Sequence, residues 1–240
     1  MEINVVDCVA WSGNLQTREQ WSAWANGELE YQSSDDLPAL KEIPAMQRRR
    51  LSSYAKITLD CILKAGSGHL SSVPCVFASR HGDLHKTAKL IEDVADKEGL
   101  SPTHFGLSVH NAVAGLFSIY SKNKQPMTAI AAGEDSFMMA LLDAYAKLNS
   151  GKYENILLVY SDEIVPEKYQ EFVSKEEKNV AIAMLLSKEQ TNNSFNFLFE
   201  AQNNYDGSCN FQPFDFLNFY FGSQKESQLN TQKYRWVLNK

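Results

Sequence analysis

Apolar and polar positions alternate along the chain with two periods, which predict strands and helices in succession. Short apolar runs predict strands at residues 3–11, 73–79, 127–132, 155–161 and 180–187. Apolar residues spaced three or four apart predict helices at residues 18–26, 48–64, 85–97, 111–121 and 136–150. The charged stretch at residues 167–178 is expected to be a solvated helix or loop. This alternation predicts an α/β fold with a largely parallel sheet and helices on both faces.

The predicted helix at residues 136–150 differs from the others, because residues 137–142 are apolar on every side. A helix without a polar face must be covered all round, so it is expected in the middle of a layered structure. It follows the short strand at residues 127–132 through Gly133. Strand, turn and helix therefore form an elbow.

The last part of the chain has a different composition. Eight of the thirteen phenylalanines lie between Phe195 and Phe221, interleaved with Asn and Gln. This pattern predicts strands and a short aromatic helix packed over the main sheet. No linker separates this part from the rest, so residues 1–240 are predicted to form one domain in which residues 189–240 are a covering segment.

Charge and composition argue against several classes of protein. The chain has 23 basic and 29 acidic residues, a net charge of -6, and its basic residues are not concentrated enough for a nucleic-acid groove. Its four cysteines are far apart without CxxC spacing, which favours a reducing compartment. The N-terminus does not resemble a signal peptide, and no stretch approaches the roughly 20 apolar residues of a membrane span. A soluble, cytoplasmic protein is expected.

The elbow at residues 132–136 is the most informative local feature for chemistry. A residue there lies at a helix N-terminus, where free backbone N–H groups stabilise negative charge and favour thiol or hydroxyl nucleophiles. The elbow reads Ala-Gly-Glu-Asp-Ser, with no cysteine and no GxSxG pattern. On local grounds, Glu134 and Asp135 are first-turn acids and Ser136 assists the cap.

Two other clusters admit a functional interpretation. His81, Asp83 and His85 lie within five residues and offer three metal ligands, but the intervening glycine also suits a loop that enters a helix. The arginines at 48–50 could grip a phosphate or an acidic partner protein, or they could begin a solvated helix. No GxGxxG or GxxxxGK loop occurs, and neither a metal nor a cofactor is predicted.

Several segments resemble the N-terminal half of a β-ketoacyl synthase, an enzyme of the thiolase fold. The resemblance is carried by Trp-x-x-Trp on the first helix, Met-Gln-Arg-Arg-Arg-Leu-Ser at 46–52, Ser-Val-His-Asn-Ala-Val-Ala-Gly at 108–115, and residues 127–151. It spans residues 3–188. Within the family, the chain most resembles the β-ketoacyl synthase-like, N-terminal group found in aryl polyene and related fatty acid or polyketide biosynthetic clusters. The segment after residue 188 matches the family poorly and is taken as divergent.

The resemblance implies that the chain is not an enzyme. In active synthases the elbow carries an acyl-accepting cysteine, and the helix register places Glu134 at that position, with Gly133 and Asp135 as alternatives. Acyl transfer to a carboxylate would form a strained mixed anhydride. The synthases also use two histidines from their second half, whereas this chain has none after His110. Glu134 is therefore expected to be a vestigial nucleophile position.

The resemblance also implies a partner. Chain length factors of aromatic polyketide systems likewise lack the cysteine and form heterodimers with an active β-ketoacyl synthase. This chain is expected to pair in that way, to stabilise the synthase, to shape its acyl tunnel and to meet the acyl carrier protein through the complex. The uncharged strand at 127–132 would be a poor free edge and a good pairing edge.

The tunnel and interface candidates are Leu84, Thr87, Ala88, Ile91, Asn111, Met127, Thr128, Ala129, Ile130, Ala131, Phe137 and Met138. The alternative is a stand-alone enzyme, either a malonyl-ACP decarboxylase or a metal-assisted hydrolase that uses His81, Asp83 and His85.

Overall fold

A single mixed sheet organises the protein, whose computed structural model describes residues 1–66, 68–173, 177–202 and 211–240. The strands in these residues are β1 (Glu2–Trp11), β2 (Cys75–Ala78), β3 (Met127–Ile130), β4 (Asn155–Asp162), β5 (Val180–Ser187), β6 (Ser194–Ala201), β7 (Glu226–Asn230) and β8 (Tyr234–Asn239). The helices are α1 (Arg18–Ala25), α2 (Ala45–Arg48), α3 (Ser53–Ala65), α4 (Leu84–Ala95), α5 (Pro102–Gly106), α6 (Ala112–Ser121), α7 (Ser136–Asn149) and α8 (Gln212–Phe221). None of these helices has the length and apolar content needed to cross a lipid bilayer.

Most neighbouring strands of the sheet run antiparallel. Among the described strands the order is β3-β2-β4-β5-β1-β6-β8-β7, and only β2 pairs in parallel, with β3 and with β4. The other neighbours are antiparallel. The α/β class is therefore correct, but the expectation of a largely parallel sheet is wrong. Parallel neighbours need a long crossover, usually a helix, whereas the described residues between β4 and β5 form only a 3₁₀ turn, Glu167–Phe172.

Helices cover both faces of the sheet, and each face has its own hydrophobic core. On one face α3 and α6 pack over β2, β4 and β5, with Phe77 and Phe117 fully buried between them. On the other face α7 lies against β2 and β4, and α8 lies beside it. The ring centroids of Phe137 on α7 and Phe216 on α8 are 4.8 Å apart. The all-apolar helix predicted at residues 136–150 is thus covered by the sheet and by α8.

Local capping sets the helix boundaries. Thr17 and Gln20 form a capping box at the start of α1, in which each side chain accepts the backbone N–H of the other residue. Ser52 caps α3 by accepting the N–H of Ala55, which divides the helix predicted at residues 48–64 into α2 and α3. Asp83 caps α4, so that helix starts at Leu84.

The aromatic C-terminal part extends the sheet. Its strands and short aromatic helix are present as predicted, but β6, β8 and β7 continue the sheet beyond β1 and do not lie over it. The helix α8 packs against α1 as well as α7. The ring of Trp21 on α1 lies 5.6 Å from that of Phe214 and 6.2 Å from that of Phe221. These contacts join the first helix of the chain to the last.

Candidate functional site

The elbow lies at the carboxyl edge of the parallel part of the sheet. The register pairs Ala78 of β2 with Ile130 of β3 and with Tyr160 of β4. Because the three strands run in the same direction, the segments that follow them meet at one edge, which is where open α/β sheets bind ligands. Two buried carboxylates, Asp135 and Asp162, lie at this edge.

The elbow itself is a tight turn around Gly133. This glycine has φ of +62°, in the left-handed region that a residue without Cβ enters at no steric cost. A 3₁₀ turn, Gly133–Asp135, follows it and leads into α7. The buried hydroxyl of Ser136 donates to the Gly133 carbonyl at 2.7 Å and accepts from the Ala132 N–H at 2.9 Å. Ser136 therefore ties the turn together from inside.

The carboxylate of Asp135 is held by three side chains of the C-terminal part. Trp236 Nε1 donates to Asp135 Oδ1 at 2.8 Å, and Gln212 Nε2 donates to the same oxygen at 3.0 Å. Thr231 Oγ1 lies 2.9 Å from Oδ1 and 3.0 Å from Oδ2. The amide oxygen of Gln212 also accepts the backbone N–H of Met138 at 3.4 Å. The start of α8 and the β7–β8 hairpin are thereby fastened to the elbow.

These donors do not fully offset the cost of burying the carboxylate. Burial raises the pKa of Asp135 above its usual value, the hydrogen bonds from Trp236, Thr231 and Gln212 act in the opposite direction, and the charge of Glu134 adds to the rise. All three donors are neutral side chains. The Asp135 carboxyl group is therefore held by hydrogen bonds from dipolar side chains, and none of these three partners is a cation.

Glu134, at the predicted nucleophile position, has a looser environment than its neighbour. It is half-buried, and its Oε2 accepts the N–H of Gln232 at 3.4 Å. An ionised carboxylate offers hydrogen-bond acceptors only, and as an acyl acceptor it would have to form an anhydride. The two adjacent acids of the elbow thus differ. Asp135 is buried and hydrogen-bonded to the C-terminal part, whereas Glu134 is half-buried at the surface of the elbow.

The second buried carboxylate, Asp162, organises the loop that follows β2. It accepts hydrogen bonds from Ser79 Oγ at 2.7 Å, from the Arg80 N–H at 2.7 Å and from the His81 N–H at 2.9 Å. Burial raises its pKa in spite of these bonds. Glu177 also contacts this loop: its carboxylate pairs with Arg80 at 2.6 Å and lies 3.2 Å from His81 Nε2.

The three residues considered as metal ligands do not converge. His81 faces Glu177, Asp83 caps α4, and His85 Nε2 lies 2.8 Å from the carbonyl oxygen of Ile164. In the part of the chain that the structure describes, no three His, Cys, Asp or Glu side chains are grouped to hold a metal ion. The positions of these residues therefore do not support metal-assisted hydrolysis.

The arginines at 48–50 lie at the end of α2. Arg48 is half-buried, and its Nη1 donates to the Leu40 carbonyl at 3.1 Å. Arg49 and Arg50 are exposed. Two of the three guanidinium groups are thus presented to solvent.

The predicted tunnel residues of α4 lie along one side of this helix. Their exposure to solvent differs from residue to residue. Ala88 is buried, Leu84 and Thr87 are half-buried, and Ile91 is 54% exposed. Val94, one turn further on, is also exposed. The apolar side of α4 is therefore only partly covered by this chain.

The other candidates fall into three environments. Asn111, Ala129 and Ala131 are exposed; Met127, Thr128 and Ile130 are half-buried along β3; and Phe137 and Met138 are fully buried in α7. Phe137 packs on Tyr160 with ring centroids 5.6 Å apart. The β3 residues therefore lie at the surface, and the two α7 residues belong to the core.

Five residues of this edge carry no recognisable sequence signal. They are Asp162, Glu177, Gln212, Thr231 and Trp236. Trp236 is 101 positions from its acceptor, and Gln212 is 77 positions away. Only the fold brings these side chains to the elbow, because no local spacing links them to it.

The mixed eight-stranded sheet, its two helical layers and the buried helix behind a strand-turn elbow define a thiolase-like α/β protein. The sequence model for the β-ketoacyl synthase, N-terminal domain, matches residues 21–238. The chain belongs to this family. The match also runs through the segment after residue 188, which the resemblance seen in the sequence did not cover.

Solved structures share this fold. A chain in the structure of the ketosynthase ApeO in complex with its chain length factor ApeC, from Xenorhabdus doucetiae, matches with a TM-score of 0.87 and 25% identity. The match covers 100% of this chain and 100% of that chain. A β-ketoacyl synthase from Burkholderia phymatum matches with 0.65 and 10% identity, over 92% of this chain and 70% of that chain. The ishigamide ketosynthase/chain length factor matches with 0.56 and 14% identity, over 78% and 62%. The last two likenesses show the fold alone. No curated protein matches the sequence.

Proposed function

We propose that this chain is a non-catalytic, chain length factor-like subunit that forms a heterodimer with an active β-ketoacyl-ACP synthase of aryl polyene biosynthesis. In that complex it stabilises the synthase and shapes the acyl tunnel, and it meets the acyl carrier protein through the pair. Its likeness to a ketosynthase–chain length factor complex over the full chain supports this role. The observation that carries the proposal is the open edge of β3.

The two edges of the sheet differ in how they are protected. β3 ends the sheet on one side and, in the described residues, pairs only with β2. Its four residues, Met-Thr-Ala-Ile, carry no charge. β7 ends the other side, and it begins with Glu226 directly after Lys225. Charged residues deter edge-to-edge pairing, so β3 is the edge suited to a partner strand.

Exposed apolar side chains precede this edge in the chain. Ile91 and Val94 on α4, Phe105 on α5, and Val109 and Ile119 around α6 are all exposed. They belong to the segment between β2 and β3, in which few side chains are fully buried. Exposed apolar side chains in such number are typical of a protein interface.

The elbow and the cysteines support a non-catalytic role. The described cysteines, Cys8, Cys61 and Cys75, are buried away from the elbow, and burial raises the pKa of each thiol. A thiolate is the form that attacks a thioester. At the elbow, Glu134 offers a carboxylate that cannot accept an acyl group without forming an anhydride.

Co-expression with a neighbouring ketosynthase tests the pairing. We expect the two chains to co-elute in size-exclusion chromatography. Ala129→Glu, which adds a charge to exposed β3, should reduce the co-eluting fraction at least tenfold, whereas the matched change Gln228→Glu on exposed β7 should leave it unchanged. If both variants co-elute as the wild type does, β3 is not the pairing edge; if the wild type elutes alone, the proposal fails.

The malonyl-ACP decarboxylase remains the competing function. It predicts that the purified chain, without a synthase, releases carbon dioxide from malonyl thioesters. Under the proposed role there is no release above the uncatalysed rate, and mass spectrometry after exposure to acyl-ACP finds the acyl group on the synthase chain alone.

A further inference from the structure

The backbone N–H groups at the start of α7 already have acceptors within the chain. The N–H of Asp135 donates to the Ala132 carbonyl at 3.3 Å, and that of Ser136 donates to the Gly133 carbonyl. The N–H of Met138 donates to the side-chain oxygen of Gln212 at 3.4 Å. A helix N-terminus stabilises an anion through N–H groups that lack such partners. Much of that capacity is used here by the turn and by Gln212.

The side chain next to residue 134 is an acid, which does not activate a nucleophile as a neighbouring cation does. Asp135 follows it directly, and its carboxylate is buried and held by Gln212, Thr231 and Trp236. The groups that the C-terminal segment presents at the elbow, including the Gln232 N–H, are neutral. Activated thiols lie next to cations or free helix N–H groups. Residue 134 has a buried carboxyl group as its neighbour instead.

We propose that the C-terminal segment closes the elbow of this chain, so that a thiol placed at position 134 stays inactive. The loss of catalytic competence then involves more than one missing cysteine, because the surroundings that would activate a nucleophile are used to fasten α8 and the β7–β8 hairpin. This inference deepens the non-catalytic role proposed above and rests on it.

Alkylation of an introduced thiol measures the closure directly. In full-length protein carrying Cys209→Ser, Glu134→Cys and the matched control Ala131→Cys are treated with iodoacetamide between pH 6 and 10. The thiolate sulfur forms a bond to carbon, iodide leaves, and the thiol proton passes to solvent. The three described cysteines are buried, so the background is low. Circular dichroism confirms that each variant is folded.

We expect the thiol at 134 to titrate no lower than that at 131, near or above the ordinary value of about 8.5, and to react no faster at pH 7. Adding Gln212→Ala to Glu134→Cys frees the Met138 N–H, and the rate at pH 7 should rise at least threefold. A thiol at 134 that reacts ten times faster than the control, or a rate unaffected by Gln212→Ala, would overturn the inference. Pairing with a synthase is measured separately by co-elution, so either proposal can fail alone.

Discussion

The hydrogen bond between Trp236 and Asp135 predicts an unusually costly substitution. Trp236 is fully buried, and its indole N–H donates to the buried carboxylate at 2.8 Å. Trp236→Phe removes this donor and leaves Asp135 with Gln212 and Thr231 as its side-chain donors. The chain contains a matched control, because Trp21 is also fully buried and donates to the neutral carbonyl of Ala10 at 2.9 Å.

The two substitutions should differ in their cost to stability, because Trp236 donates to a carboxylate and Trp21 to a neutral carbonyl. Both changes replace an indole by a phenyl ring in the core, so the packing loss is similar, on the order of 1 kcal/mol. A hydrogen bond to a neutral group contributes about 1 kcal/mol, and one to a charged group about 1.5–3 kcal/mol. Trp21→Phe should therefore lower the free energy of unfolding by about 2 kcal/mol and Trp236→Phe by about 2.5–4 kcal/mol.

Urea unfolding at pH 7.5, followed by circular dichroism, measures both values. Combining Trp236→Phe with Asp135→Asn completes a double-mutant cycle, in which we expect a coupling energy of about 1 kcal/mol or more. Equal losses for the two tryptophans, together with a coupling energy near zero, would refute the view that the buried carboxylate fastens the C-terminal part.

Two further predictions concern the turns at the same edge. Gly133→Ala should lower the free energy of unfolding by about 1–2 kcal/mol, because φ is +62°, although a Cβ would meet nothing within 4 Å. The control is Gly99→Ala, at an exposed glycine without positive φ, which should cost less than about 0.5 kcal/mol or stabilise the protein slightly. Thermal unfolding of both variants measures the difference. For Asp162, burial raises the pKa in the folded protein above the ordinary 3.8, so the folded state binds the proton more tightly than the unfolded state does. The contribution of this carboxyl to stability therefore falls as the pH rises from 3.8 through its pKa in the folded protein. Urea titrations at several pH values should therefore show the wild type losing stability relative to Asp162→Asn as the pH rises from 3.8, and the opposite trend would contradict the assignment.

The hydrophobic pattern predicted most elements but not how the strands pair. The positions of β1 to β5 follow from short apolar runs, and the buried position of α7 follows from its apolar circumference, since both signals are local. The direction of pairing depends on where the chain returns after each strand. Residues 163–179 join β4 to an antiparallel neighbour, and nothing in their composition distinguishes this from a crossover.

The elbow shows the same limit at the scale of single residues. Glu134 and Asp135 are adjacent acids, and local reasoning treats them alike as first-turn carboxylates. In a 3₁₀ turn of three residues, consecutive side chains point about 120° apart, so one can face the core while the next faces outward. Which of them is buried is decided by Gln212, Thr231 and Trp236, which are 77, 96 and 101 positions away.

The covered helix α7 and the open edge of β3 determine which contacts a partner protein would have to make. The aromatic C-terminal part covers α7 and is fastened to the elbow. In the described residues, β3 pairs only with β2, and Ile91, Val94 and Phe105 of α4 and α5 are exposed. Burying the exposed half of a large apolar side chain contributes about 1 kcal/mol, whereas association costs about 4–15 kcal/mol in lost freedom. The exposed Ile91, Val94, Phe105 and Val109 alone supply only about 4 kcal/mol. Over most of that range these contacts alone fall short, so in the proposed heterodimer strand pairing along β3 has to add to them. We therefore expect a single charge at Ala129 to separate the two chains.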